Sequence, residues 1–171
     1  MKHMKLRLFI IAVACSMAAV ISGCAKSGPP APSATAVLLT SVDVAHQIDG
    51  AFAPDAIYAQ VNSAWLKDFY PTFRAEIFRQ GVVKWDDRFD CNHFAAYYVA
   101  LAQTKFYLDA WRSGTPAQSL AIAQFWYVSP RGGHAIVVAL TERGPVFIEP
   151  QTGEEVHLPP DQRAAALAVI F

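Results

Sequence analysis

The stretch RFDCNHFAAYYVALAQ, Arg88–Gln103, decides how this chain is interpreted, because it places one cysteine at the start of an apolar helical pattern. From Cys91 onward, apolar residues recur at the spacing of one helical face. Asp90 suits the N-cap position, since its carboxylate can accept hydrogen bonds from the free amides of the first turn. We therefore predict a long buried helix from Cys91 to about Trp111, ended by the turn sequence Ser113–Pro116.

The N-terminus is typical of a secreted bacterial protein. Three basic residues precede an apolar run from Leu8 to Ile21, which is shorter than the roughly 20 residues that a membrane-spanning helix needs. The run closes on Ile21-Ser22-Gly23-Cys24, which resembles a bacterial lipobox, so Cys24 is expected to carry a lipid. An ordinary signal peptide or an N-terminal membrane helix is the alternative interpretation.

The predicted organisation is a signal peptide over residues 1–23, a lipidated cysteine with a flexible tether over residues 24–39, and one domain over residues 40–171. The tether is rich in Pro, Ser and Ala and lacks aromatic residues, so it cannot bury enough surface to become ordered. The lipid would attach the protein to a membrane of the bacterial cell envelope. Ala25, directly after the lipid site, favours the outer membrane, with the domain facing the periplasm.

The charge of the chain bears on its binding partners, and its cysteine content bears on the role of Cys91. Of 14 basic and 14 acidic residues, three basic ones lie in the signal, which leaves 11 against 14 and a mature net charge of −3. The sequence has no basic patch, so no nucleic-acid partner is expected. Cys15 and Cys24 belong to the signal and the lipid site, so Cys91 has no disulfide partner. Cys91 is therefore either an inert buried residue or one retained for its chemistry.

The predicted domain has a first part with helical spacing of apolar residues and a second part with short strand-like runs. Residues 40–80 have helical spacing with Pro54 and Pro71 as breaks or helix starts, which indicates two or three short helices. After the long helix come four short runs rich in β-branched and aromatic residues, separated by turns: Leu120–Val128, His134–Leu140, Val146–Glu149 and Glu155–Leu158. We predict an α+β domain in which N-terminal helices, including the one that begins at Cys91, pack on a C-terminal antiparallel sheet of three or four strands.

Three residues at the ends of these elements could carry chemistry. Cys91 starts the helix, His134 follows Gly132-Gly133 at the start of a strand, and Glu149 ends the next strand. The positive end of the helix dipole and a neighbouring imidazolium both favour a thiolate, which is the nucleophilic form of cysteine. If the two strands pair as a hairpin, Glu149 returns beside His134 and can fix its tautomer and orientation.

This pattern resembles the core of the transglutaminase-like cysteine proteinases of the papain-like superfamily. It consists of Asp90-Cys91 opening an apolar helix, the strand sequence GHAIVV at 133–138, and FIEPQTG at 147–153. The resemblance implies that Cys91 is the nucleophile, His134 the general base and acid, and Glu149 the orienting group of a catalytic triad. Glu149 departs from the family, which usually has Asp or Asn at that position. The resemblance covers about 65 residues and leaves the oxyanion-hole donor unassigned.

Other polar residues have simpler interpretations. His93 is two residues from Cys91 and therefore points about 200° away from it on a helix, so we interpret it as a packing histidine. A metal site of Cys91, His93 and His134 fails for the same reason, and neither a metal nor a cofactor is expected. Gln103 and Gln124 lie in the middle of elements and are interpreted as structural.

The sequence thus predicts a membrane-anchored thiol hydrolase or acyltransferase that acts on amide or peptide bonds of a protein or peptide substrate. Whether it is an enzyme stays open, since a fold does not establish activity. The alternative is a catalytically idle papain-like lipoprotein that acts as a binding or exclusion module in the cell envelope. A third interpretation is a structural lipoprotein in which Cys91 is a small core residue.

Overall fold

A computed structural model describes residues 31–32 and 37–171. The predicted signal peptide, the lipid site at Cys24 and most of the tether lie outside these residues. The first strand of the domain begins at Leu38, two residues before the predicted boundary. None of the helices within the described ranges is long and apolar enough to cross a bilayer.

The described residues form four helices and eight strands. The helices are α1 (Ser41–Gln47), α2 (Ser63–Arg79), α3 (Cys91–Ser113) and α4 (Pro160–Ala164). The strands are β1 (Leu38–Thr40), β2 (Ala51–Phe52), β3 (Ile57–Ala59), β4 (Ser119–Leu120), β5 (Ile122–Ser129), β6 (Gly132–Thr141), β7 (Gly144–Ile148) and β8 (Ala166–Ile170).

Helix α3 confirms the prediction of a long helix that begins at Cys91. Its apolar face is buried, and it ends where Gly114 adopts the left-handed conformation with φ of 66°, which glycine reaches without steric cost. Helix α2 differs from the prediction, because Pro71 lies inside it and not at a break or a helix start.

The central sheet has five strands in the order β2-β8-β5-β6-β7. Strands β5, β6 and β7 form an antiparallel meander, and β8 pairs antiparallel with β5 on the other side. The two-residue strand β2 then pairs parallel with β8. A second sheet of three short strands has the order β1-β3-β4.

Both faces of the central sheet are covered, and strand β6 explains how. Its alternate residues Ala135, Val137 and Ala139 face the aromatic core supplied by α2 and α3. The intervening Ile136, Val138 and Leu140 join a second core that includes residues of α1. A strand buried on both faces has a continuous apolar sequence, which is why HAIVVAL lacks polar alternation.

The predicted fold class, a papain-like or transglutaminase-like α+β domain, is wrong in its architecture. Strands occur before, between and after the helices, and the domain has two sheets, one of them mixed and five-stranded. The predicted strand at Glu155–Leu158 makes only an isolated bridge between Glu155 and Ile148, and β8 takes a sheet position instead. Strands of two or three residues carry too little alternation to be detected in a sequence.

Candidate functional site

Cys91 is a free, half-buried thiol in the first turn of α3. The helix start is closed by a capping box, in which Asp90 is the N-cap and His93 is its partner. His93 Nδ1 lies 2.8 Å from Asp90 Oδ1. Partial burial opposes ionisation of Asp90, but the hydrogen bonds with His93 outweigh it and hold the pKa of Asp90 below its usual value. His93 therefore serves the helix terminus and not the thiol.

His134 lies near the start of β6, directly opposite Tyr127 of β5. The two rings meet edge to face, with centroids 5.8 Å apart. Burial raises the pKa of the Tyr127 hydroxyl, and the negative charge of Glu149 raises it further. Tyr127 thus contacts His134 and lies near Glu149.

Glu149 follows the last residue of β7, and the β6–β7 hairpin brings it back to His134. Its Oε2 lies 2.7 Å from His134 Nε2. Its other oxygen, Oε1, accepts a hydrogen bond of 3.1 Å from the amide of Gln151. Both side chains are largely buried, with 26% and 18% of their surfaces exposed for His134 and Glu149 respectively. The carboxylate therefore fixes the imidazole orientation and leaves Nδ1 as the second ring nitrogen.

The turn after Glu149 holds this carboxylate in place. The Glu149 carbonyl accepts hydrogen bonds from the amides of Thr152 and Gly153 at 3.2 and 2.7 Å. The Tyr70 hydroxyl, which belongs to α2, donates to the Gln151 carbonyl at 2.8 Å. The position of the carboxylate thus depends on a helix that is distant in sequence.

The structure brings the side chains of His134 and Glu149 into direct contact, whereas it shows no such contact between Cys91 and either of them. Within the described residues, no hydrogen bond joins the Cys91 sulfur to the His134 ring. Helix α3 packs on β6, and Cys91 lies against the core that these two elements share. The catalytic roles predicted for the three residues therefore stay a prediction.

A cleft of about 680 Å³ opens beside the His134–Glu149 pair. We call it the His134 cleft, and the residues that define it are Trp85, Tyr127, Arg131, His134, Glu149 and Thr152. Its volume lies within the range of about 300–1,000 Å³ that is usual for small-molecule sites. The side chain of Cys91 is not part of its wall.

Two residues of the His134 cleft were missed in the sequence. Trp85 lies in the connector before α3 and is 51% exposed, which is unusual for so large an apolar side chain. Arg131 lies at the β5–β6 turn with an exposed guanidinium. A Trp in a short connector and an Arg beside Pro-Gly-Gly residues of a turn are signals that such residues serve a surface site.

The described residues contain no group of three or more His, Cys, Asp or Glu side chains that could hold a metal ion.

Comparison with known proteins gives structural neighbours alone. No protein-family model matches the chain, and no curated protein matches it. Among solved structures, the chain is similar to PSL1a in a "PSL1a-E64 complex", with a TM-score of 0.54, 18% identity, and coverage of 78% of this chain and 51% of that chain. It is also similar to Polyporus squamosus lectin bound to the epitope Neu5Aca2-6Galb1-4GlcNAc, with a TM-score of 0.50, 18% identity, and coverage of 71% and 41%.

These neighbours correct the predicted family. The chain shares its fold with a portion of a lectin and spans about half the length of PSL1a, so the identification as a transglutaminase-like cysteine proteinase is wrong. The prediction of a thiol hydrolase or acyltransferase that acts on amide bonds is corrected with it. The alternative prediction of a binding module agrees better with these neighbours, without its papain-like label.

Proposed function

We propose that the domain is a carbohydrate-binding module and that the His134 cleft is its binding site. One structural neighbour is a lectin bound to a sialylated trisaccharide. At 18% identity the likeness extends to the fold alone. The chemistry of the cleft therefore has to support the ligand class.

The observation that carries this proposal is a half-exposed indole beside a fixed polar pair. Trp85 offers an aromatic face of the kind on which the C–H face of a pyranose ring can stack. The His134–Glu149 pair and Thr152 supply hydrogen-bonding groups for ring hydroxyls. A cleft that combines one apolar surface with a few well-placed polar groups is suited to an amphipathic ligand such as a sugar.

Arg131 extends the proposal to acidic saccharides. Its guanidinium makes no ion pair within the described ranges, whereas the neighbouring Glu149 is already engaged by His134 and by the Gln151 amide. A free guanidinium can bind a carboxylate through two parallel hydrogen bonds. The cleft is therefore expected to prefer a sugar acid over its neutral counterpart.

Titration calorimetry with Neu5Acα2-6Galβ1-4GlcNAc and with neutral Galβ1-4GlcNAc tests this function. Trp85→Ala is expected to weaken binding roughly tenfold, since a stacked aromatic contact contributes about 0.5–1.5 kcal/mol beyond its buried area. Arg131→Ala is expected to remove the preference for the acidic sugar and leave the affinity for the neutral one nearly unchanged. Phe52→Ala, which removes an aromatic side chain exposed elsewhere on the domain, is the matched control. Equal affinities of the wild type and Trp85→Ala would contradict the assignment of the cleft.

A second proposal concerns the chemical roles of Cys91, His134 and Glu149. The hydrogen bond of 2.7 Å between His134 and Glu149 favours it, because a carboxylate that orients an imidazole is what a histidine base requires. The dipole of α3 adds a positive partial charge at Cys91. We propose that Cys91 is the nucleophile, that His134 is its base and that Glu149 orients His134, and we assign no reaction to them.

Alkylation kinetics test this second proposal. We expect iodoacetamide to modify Cys91 in the full chain at neutral pH, with peptide mapping to separate it from Cys15 and Cys24. His134→Ala should slow the reaction about tenfold or more, since general-base assistance is typically worth 10²–10⁴-fold in catalysis. His93→Ala should leave the rate unchanged, because His93 serves the helix cap. The same rate for His134→Ala and the wild type would mean that the thiol and the imidazole are not coupled. E64 is a second probe, since it is the compound named with PSL1a.

We also propose a cellular location for the domain. A lipid at Cys24 would tether the binding domain to the bacterial outer membrane on its periplasmic side, where saccharides are within reach of the cleft.

A further inference from the structure

The second half of α3 exposes two large aromatic side chains that the core does not use. Trp111 is 82% exposed and Tyr107 is 68% exposed. They are four residues apart, so they lie next to each other on one face of the helix. Neighbouring exposed aromatic side chains of this size mark a surface that binds something.

These two aromatics form one wall of a groove of about 640 Å³. We call it the α3 groove, and its defining residues are Phe106, Tyr107, Trp111, Thr115, Gln118 and Gln124. The groove lies between the second half of α3, the segment after it, and residues of β5 and β8. No Asp, Glu, Lys, Arg or His side chain lines it. The lining side chains thus offer no formal charge to a ligand.

The polar groups of the groove are side-chain amides and hydroxyls, and hydrogen bonds hold two of them, Gln118 and Thr115, in position. Gln118 Oε1 accepts hydrogen bonds from the amides of Ala56 and Ile57 at 2.8 and 3.1 Å, which fixes the side chain and leaves its NH₂ group available. Thr115 Oγ1 accepts a bond of 3.4 Å from the Ala117 amide and keeps its own proton to donate. Gln124 makes no side-chain hydrogen bond within the described residues and lies partly exposed at the groove.

We propose that the α3 groove is a second saccharide site, selective for a neutral sugar. Two exposed rings supply a stacking surface, and neutral amides and a hydroxyl supply donors and acceptors for sugar hydroxyls. The absence of Asp, Glu, Lys, Arg and His side chains from its lining separates it from the His134 cleft, which has Arg131 and Glu149. The inference stands on its own residues and does not depend on the function proposed for the His134 cleft.

The four tryptophan indole N–H signals of the ¹⁵N-labelled full chain allow the two sites to be read separately. The probes are chitotriose, maltotriose and Galβ1-4GlcNAc, and each indole signal is assigned with a Trp→Phe variant. At least one of these neutral saccharides is expected to shift the Trp111 signal in a saturable manner. Titration calorimetry is used for Trp111→Ala, which lacks this signal, and the substitution should weaken the binding about tenfold or more, without loss of the fold because the side chain is 82% exposed. Gln124→Ala should weaken it by a smaller factor.

Two results would overturn this proposal. The first is that none of the three saccharides shifts the Trp111 signal. The second is that phosphatidylcholine–phosphatidylglycerol vesicles broaden it while the sugars do not, which would make the face a lipid-binding surface. The Trp85 signal reports on the His134 cleft in the same spectra. A shift at Trp111 without one at Trp85 supports the groove, and a shift at Trp85 without one at Trp111 refutes the groove alone.

Discussion

Gly153→Ala is expected to destabilise the domain by about 2–5 kcal/mol, because the new methyl group meets two separate penalties. Gly153 has φ of 79°, a left-handed conformation that costs a residue with a Cβ roughly 1–2 kcal/mol. A Cβ at this position would also lie 2.7 Å from Tyr70 Cδ2 and closer still to Cγ and Cδ1 of the ring. Overpacking of this kind typically costs about 1–3 kcal/mol. Urea denaturation followed by tryptophan fluorescence measures the change.

Gly81→Ala is the matched control for this prediction. Gly81 also has a left-handed φ, 85°, but a Cβ there would meet nothing within 4 Å. Its cost should therefore be the conformational part alone, about 1–2 kcal/mol. If both variants lose the same stability, the Tyr70 ring moves aside freely and the contact has no energetic importance.

The close approach of Gly153 to Tyr70 also affects the position of Glu149 in the His134 cleft. Tyr70 anchors the turn through the Gln151 carbonyl, and the turn positions Glu149 through the amides of Thr152 and Gly153. A shift of the turn would move the Glu149 carboxylate away from His134. We therefore expect Gly153→Ala to weaken saccharide binding at the His134 cleft more than at the α3 groove.

The parts of the site that the sequence predicted are those governed by local rules. The start of α3 follows from an N-cap residue and helical spacing, so Asp90 and Cys91 could be placed without tertiary information. The approach of Glu149 to His134 follows from two adjacent runs separated by a Gly-Pro turn, which pair as a hairpin. The contact of 2.7 Å between them is the consequence.

The parts that could not be predicted depend on pairing between segments that are distant in sequence. Strand β8, Ala166–Ile170, lies between β2 and β5 in the sheet. The sequence of its five residues does not indicate which strands it pairs with. Strand β2 has two residues and depends entirely on β8 for its hydrogen bonds. The contact between Tyr70 and Gly153 is likewise visible only once α2 is packed on the sheet. The predicted family failed for a related reason, since the motif covers the hairpin and one helix but not the strands that complete the sheet.

Gln103→Met is expected to destabilise the domain by about 2–6 kcal/mol, although the two side chains have similar size and shape. The Gln103 amide bonds both backbone groups of Leu120, accepting from its N–H and donating to its C=O at 2.9 Å each. Leu120 is fully buried, so the methionine variant leaves a backbone donor and a backbone acceptor without partners. Each unsatisfied buried group costs about 1–3 kcal/mol. The Gln103 side chain thus links α3 to β4 by hydrogen bonds. Because β4 forms part of one wall of the α3 groove, Gln103 also holds that wall in place.

Thr104→Ala is the control for Gln103→Met, because it changes the next residue of the same helix. Thr104 is exposed and donates only to the Ala100 carbonyl one turn earlier, so its loss should change stability by less than about 0.5 kcal/mol. Hydrogen exchange at the Leu120 amide provides a second readout, which should accelerate in Gln103→Met and stay slow in Thr104→Ala. A methionine variant within about 0.5 kcal/mol of the wild type, with a slow Leu120 amide, would mean that water takes over both hydrogen bonds. That outcome would leave the α3 groove wet at its base and remove the argument that Gln103 holds its wall.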